Sequence, residues 1–206
     1  MTQQNPSYAD WQPTLQRVMT YLVGKIEDYS RVCKERTGEP AYEHLIYRVK
    51  SIDSMNEKCV RKGLPVSARS ALRELNDAIG IRIVCRFIDD IYTVAQLLIQ
   101  QDDLKLIRIK DYIKNPKPNG YRSYHMIVEI PVFFSNGKTP MRAEIQIRTI
   151  GMDFWASLEH KIYYKFEGNA PAFISQELRD CARIVSELDA KMLSLNEAIK
   201  QCPKEE

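Results

Sequence analysis

Between residues 141 and 149 the sequence alternates: Met141, Ala143, Ile145 and Ile147 are apolar, while Arg142, Glu144, Gln146 and Arg148 are polar. A period of two is the signature of a strand buried on one face. One carboxylate, one amide and two guanidiniums therefore point the same way. Alone, such a row is equally the solvated face of a sheet. A second alternating run, 79–87, carries Arg82 and Arg86 on its polar face and has Asp77 just before it. Two strands of one sheet then present acids and bases to one side. That mixture suits a polyphosphate bridged by Mg²⁺, with the carboxylates holding the metal and the cations holding phosphate oxygens.

Two further clusters carry charge. Arg48, Lys50, Lys58, Arg61 and Lys62 lie close in sequence, and Lys58 and Arg61, three apart, share a helical face. The plain alternative is a solvated helix surface. Beside the carboxylates, the same residues make a phosphate clamp. The loop 114–124, KNPKPNGYRSY, is basic, contains Gly120 and is followed by His125. It can lay Tyr121 against a base while Lys117 and Arg122 meet phosphates. Several common sites are absent. There is no GxxxxGK[ST], GxGxxG or GxSxG, and His44, His125 and His160 form neither an HD pair nor an HExxH.

The elements that must position these groups follow from periodicity and breakers. Asp10 is placed to cap a helix over 10–37, with Pro13 in its first turn and Leu15, Val18, Met19, Leu22, Val23 and Ile26 on one face. Ser51 caps a second helix reaching about Lys62, and 67–76 reads as a short helical turn. Asp89 caps a helix to about Gln100. Strands are expected at 79–87, 104–110, 123–130 and 141–149, with a turn at Ser135, Asn136 and Gly137. Helices then cover 152–165 and 172–200. The last repeats apolar residues in steps of 4 and 3 from Ile174 to Ile199, the seam of a helix that pairs with other helices. The pattern predicts one α+β domain over 1–206: a mixed sheet with flanking N- and C-terminal helices.

Bulk composition sets limits. The 206 residues carry a net charge of +3, too weak to point to duplex DNA. Five widely spaced cysteines with no CxxC argue against a disulfide framework or zinc site and for a reducing cytoplasm. No run approaches a membrane span, and the N-terminus does not read as a signal peptide.

The residues also resemble a known family. Gly120, Tyr121, Arg122, Ser123, Tyr124 and His125, followed by Glu144, Ile145, Gln146, Ile147, Arg148 and Thr149, look like the synthetase domain of RelA/SpoT-type enzymes. Asp77 to Arg82 and Arg48 to Ser51 match the same family in the same order, and the resemblance covers about residues 40–170. The short chain is similar to stand-alone small alarmone synthetases. The resemblance implies a nucleotidyltransferase-like fold, Mg²⁺, ATP as pyrophosphate donor and GDP or GTP as acceptor. It implies that Arg48 and Arg82 sandwich adenine, that Lys50, Ser54, Lys58 and Arg61 hold the ATP phosphates, and that Asp77 and Glu144 bind the metal. Tyr121 would stack on guanine, with Lys117, His125 and Gln146 around the acceptor. Glu144 is the candidate to take the hydroxyl proton, because it lies on the reacting face.

The resemblance departs at Tyr42 to Tyr47, which lack the Phe-x-Thr pattern associated with product activation, and at Asp153, where Asn is expected. Homotetramers with the 172–200 helix in an interface are a further implication. Two other readings remain at this level: a pyrophosphokinase acting on the 3′ end of tRNA, and a non-catalytic RNA-binding module. The second leaves Asp77 and Glu144 unexplained, because carboxylates in a phosphate-binding face repel RNA unless a metal is present.

Overall fold

A computed structural model describes residues 7–135, 137–166 and 170–202, with the side chains of 163–165 excepted. Helix α1 spans Tyr8–Thr37. Its cap is Ser7 rather than Asp10: the Ser7 backbone N–H and hydroxyl donate to Asp10 Oδ2 at 2.7 and 2.9 Å. Asp10 is thus the third helical residue of a capping box, and Pro13 lies beyond the first turn. Gly38, at φ 84°, ends the helix in the left-handed conformation and donates its N–H to Lys34 O.

Strand β1, His44–Val49, was not expected from the pattern. It is an edge strand whose Ile46, Tyr47 and Arg48 are all exposed, so it lacks the alternation that marks a half-buried strand. Helix α2 covers Ile52–Arg61, and Ser51 caps it as expected, accepting from the Ser54 N–H at 3.3 Å. A π-helical turn at Ser70–Glu74 leads to β2, Ile79–Cys85. Helix α3, Ile88–Ile99, follows. Asp90, not Asp89, serves its start, accepting the Phe87 N–H at 3.2 Å. Strand β3 is Lys105–Asp111. Strands β4, Tyr124–Phe134, and β5, Gly137–Thr149, are longer than expected and pair through Phe134 and Gly137. The expected turn residue Asn136 lies outside the described residues. Helices α4, Ile150–Lys165, and α5, Ala172–Gln201, complete the chain.

The fold class is as the pattern predicts, α+β with a mixed sheet, but with five strands in the order β1-β2-β5-β4-β3. Strands β2 and β5 are parallel and every other neighbouring pair is antiparallel. One face is the core. Ile79, Ile81, Ile83, Ala143, Ile145 and Ile147 are buried there with α1 residues such as Leu15 and Leu22 and α3 residues such as Ile91. The other face receives the alternate residues.

Arg86 corrects the parity argument. Strand β2 ends at Cys85, and the chain turns so that Arg86 bonds Pro40 O and Glu39, with Glu43 and Asp90 nearby. It faces the α1 side and not the polar row. The C-terminal seam divides as well. Leu178, with Ala182, Ile174 and Val185, packs against Trp155 and Ala156 of α4. Leu188, Met192, Leu195 and Ile199 stay exposed.

Candidate active site

Register explains how residues far apart in sequence come together. One row across the sheet reads Arg48, Gly80, Glu144, Ile127 and Arg108, and the next reads Ile46, Arg82, Gln146, His125 and Lys110. Residues paired across neighbouring strands share a face. Arginines from both edges thus meet Glu144 and Gln146 of the central strand. Asp77 stands where the chain enters β2, beside Lys50, whose N–H bonds Ala78 O.

Two cavities open on this face. The larger, about 540 Å³, is lined by Arg48, Arg82, Tyr121, Gln146 and Arg148, with α4 supplying Ser157, Glu159, His160 and Lys161. The smaller, about 410 Å³, is bounded by Lys58, Lys62, Asn76, Arg108, Lys110 and His125. Asp77 and Glu144 line both. The two carboxylates therefore stand in the common wall, with cations lining both sides.

Each carboxylate is held ionised. Burial pushes the Asp77 pKa up, but Lys50 and Lys58 outweigh it and hold the carboxyl below its ordinary range. Both ammonium groups lie 2.6 Å from Asp77 Oδ2. Asp77 Oδ1 is buried and has no hydrogen-bond partner among the described residues. Burial likewise pushes Glu144 up, but His125 and then Gln146 outweigh it and hold Glu144 low. His125 Nδ1 lies 3.4 Å from Glu144 Oε1, and Gln146 Nε2 donates to Oε2 at 3.0 Å.

The loop after β3 completes the site. Lys117, Gly120 and Tyr121 close it through backbone bonds, Lys117 N–H to Tyr121 O and Gly120 N–H to Lys117 O. Tyr121 Oη lies 2.8 Å from His125 Nε2 and accepts from Arg148 Nη2 at 2.5 Å. Its ring meets Tyr112 and His125 edge-on, and the Lys117 ammonium sits 4.6 Å from its centre. Gly120, at φ 91°, presses directly against α5.

The expected site residues thus divide. Arg48, Asp77, Arg82, Tyr121, Glu144 and Gln146 line the larger cavity, and Lys58 and His125 line the smaller. Lys50 joins them through Asp77. Ser54, Arg61 and Lys117 are exposed and line neither cavity. Ser54 is engaged at the α2 cap with Ser51. Arg108, Lys110, Arg148 and Asp153 were not among the expected site residues. Arg148 was legible in the β5 alternation, and Arg108 and Lys110 share a two-residue spacing on β3. Asp153 enters from α4, which no strand pattern could reveal.

Comparison with known proteins now decides the family. Residues 47–169 match the model of a region found in RelA/SpoT proteins, and these residues hold nearly all of the site just described. The chain belongs to the RelA/SpoT family. It is 48% identical over 162 residues to the GTP pyrophosphokinase YwaC of Bacillus subtilis, covering 79% of this chain and 77% of that protein. Among solved structures it is similar to small alarmone synthetase 2 from B. subtilis, with 44% identity, a TM-score of 0.79, and 89% and 96% of the two chains covered. Small alarmone synthetase 1 from the same organism, bound to its product pppGpp, superposes with a TM-score of 0.83 at 32% identity over 91% and 95% of the chains.

Proposed function

We propose that this chain is an ATP-dependent GTP/GDP pyrophosphokinase. It transfers the β,γ-pyrophosphate of ATP to the 3′-hydroxyl of GDP or GTP, giving ppGpp or pppGpp and AMP. The observation that carries this reading is the shared wall: Asp77 and Glu144 separate two cavities, each flanked by cations. Such a wall suits a two-substrate reaction at phosphorus, in which both substrates must meet at one reacting centre.

On the donor side, Arg48 and Arg82 hold the adenine between guanidinium planes, and Lys50, Ser54, Lys58 and Arg61 take the phosphates. Lys50 and Lys58 now neutralise Asp77. When ATP arrives with its cation they exchange the carboxylate for phosphate oxygens. On the acceptor side, Tyr121 stacks on guanine, with Lys117, His125 and Gln146 around the nucleotide. Lys117 lies over the Tyr121 ring, so a base stacking on that face displaces the ammonium. Arg108 and Lys110 extend the cationic wall for the acceptor's own 5′-phosphates.

The acceptor 3′-oxygen attacks the β-phosphorus of ATP. The bond from that phosphorus to the α,β-bridging oxygen breaks, and AMP leaves. Glu144, ionised and oriented by His125 and Gln146, takes the hydroxyl proton. The residues fit Mg²⁺: Asp77 Oδ1 is buried with no hydrogen-bond partner among the described residues, and Glu144 faces the same two cavities. Among the described residues no group of three or more His, Cys, Asp or Glu could hold a metal alone. A two-carboxylate site shared with substrate phosphates is the usual habit of Mg²⁺. When bound, the cation neutralises charge on the transferring group.

The alarmone product assigns the chain to stringent-response signalling, and the whole of 1–206 is read as one synthetase unit. Five free cysteines support a reducing cytoplasmic setting. Among the described residues, no helix is long and apolar enough to cross a membrane. The exposed row Leu188, Leu195 and Ile199 on α5 supports a homo-oligomer, read as a tetramer. The acceptor chemistry is tested with 3′-deoxyguanosine 5′-triphosphate. It should yield no AMP above the no-acceptor level. AMP release equal to that with GTP would place the transfer elsewhere on the acceptor.

A further inference from the structure

We propose that Asp153 is a positioning residue that couples the donor-base side of the site to the acceptor-base side. The inference rests on the pyrophosphokinase reading above. One oxygen, Asp153 Oδ1, accepts from Arg148 Nη1 at 3.0 Å and forms an ion pair with Arg82 Nη1 at 3.1 Å. The two arginines come from neighbouring strands, β2 and β5. Among the described residues, no other carboxylate lies within ion-pair distance of either.

Both guanidiniums line the larger cavity, and their further contacts differ. Arg82 lines the larger cavity next to Arg48, where the donor base is placed. Arg148, its side chain 5% exposed, donates Nη2 to Tyr121 Oη at 2.5 Å and to Gln146 Oε1 at 3.0 Å. Tyr121 in turn meets His125, and His125 meets Glu144. A continuous chain of charge-assisted contacts thus runs from Arg82 through Asp153 to the acceptor aromatic.

The Asp153 carboxylate offsets the two like charges it joins. Burial and then the Arg148 charge lower the Arg82 pKa, while Asp153 opposes both. Arg82 Nε is also buried, with no hydrogen-bond partner among the described residues. Its placement therefore depends on the contact at Nη1. Donor binding that fixes Arg82 also fixes Asp153, and through it Arg148 and the Tyr121 hydroxyl. The acceptor then meets an ordered platform. By linkage, acceptor binding favours the donor equally.

Asp153 lies in the first turn of α4, where a carboxylate also complements the helix dipole. The test must separate the two roles. In the wild type, the acceptor KM is measured with GTP at low and at saturating ATP with Mg²⁺, alongside thermal unfolding. Saturating ATP should lower the GTP KM about fivefold or more, the usual scale of coupling between sites. Asp153→Asn keeps the shape and removes the charge. It should raise the KM of both substrates and bring the coupling factor to about one. Asp153→Glu keeps the charge and should retain most of the coupling.

Four results overturn the proposal: no coupling in an active wild type, coupling retained in Asp153→Asn, a rise in one KM alone, or coupling lost in a folded Asp153→Glu. A lower melting temperature for Asp153→Asn with unchanged KM values assigns the residue to helix stability only. An inactive wild type, by contrast, refutes the pyrophosphokinase reading itself. The wild-type and Asp153→Glu measurements decide the matter even if Asp153→Asn does not fold.

Discussion

Gly120→Ala is the substitution whose cost the structure defines most closely. Gly120 has φ 91°, and an added Cβ would stand 2.6 Å from the Ala182 Cβ, with the Arg179 Cα at 3.6 Å and the Trp155 ring at 3.8 Å. The left-handed backbone costs an L-residue about 1–2 kcal/mol, and overpacking adds about 1–3 kcal/mol. Neither neighbour yields easily. Ala182 is on α5, whose Leu178 carbonyl accepts the Trp155 indole N–H at 2.8 Å. The loop is itself tied by the Gly120 and Lys117 backbone bonds. Gly120→Ala should therefore cost about 2–5 kcal/mol in urea unfolding, or move the loop and raise the acceptor KM. Ala182→Gly removes the clashing methyl at about 1 kcal/mol of helix propensity. The double variant should recover about 1–3 kcal/mol beyond the sum of the singles. Additivity within about 0.5 kcal/mol would show that α5 does not clamp the acceptor loop, and the steric argument would fail.

Other expectations follow from the same geometry. Glu144→Gln keeps volume but removes the charge that holds metal or takes the proton, so turnover should fall about 10²–10⁴-fold with a normal melt; activity within a few-fold of wild type removes Glu144 from the mechanism. Tyr121→Ala should raise the acceptor KM far more than the ATP KM, by the factor corresponding to about 1–3 kcal/mol of lost stacking; equal effects on both would move the guanine site elsewhere. Asp189 is buried, and burial raises its pKa despite the Thr149 hydrogen bond. An acid with a raised folded pKa binds its proton more tightly when folded, so this site favours folding below the ordinary aspartate pKa and loses that contribution as pH rises through the folded value. Asp189→Asn should thus stabilise at pH 7 and not at pH 3, as thermal melts will show; a gain equal at both would refute the burial argument. Leu188→Asp with Leu195→Asp should lower the native mass in light scattering, because buried unpaired carboxylates are strongly unfavourable; a monomeric wild type removes the α5 interface.

The central strand was legible because β5 alternates cleanly, which put Glu144, Gln146 and Arg148 on one face without coordinates. Arg82 was legible for the same reason on β2, and Asp77 from its place just before that strand. What failed was local. Edge strand β1 buries only Leu45 and Val49, and those only partly, so its residues read as a link. Parity along β2 cannot say where the strand stops, so Arg86 was assigned to the wrong side. Asp10 and Asp89 have the right chemistry for caps, but Asp10 acts from the third helical position on the Ser7 cap, and Asp90 rather than Asp89 accepts the Phe87 N–H, a shift that only backbone geometry decides. Asp153 reaches two strands from a helix that packs across their ends, which is tertiary information. The seam of α5 was regular in sequence, yet its residues divide between covering α4 and facing outward.

The central claim is the transfer of an intact pyrophosphate to a guanosine nucleotide. Protein is incubated with Mg²⁺ and ATP labelled in the β- and γ-phosphates, in parallel with GDP, GTP and tRNA. The account predicts one AMP formed per labelled product, with label moving to GDP and GTP and not to tRNA. Label on tRNA alone, or release of ADP and orthophosphate with no labelled guanosine product, would contradict it.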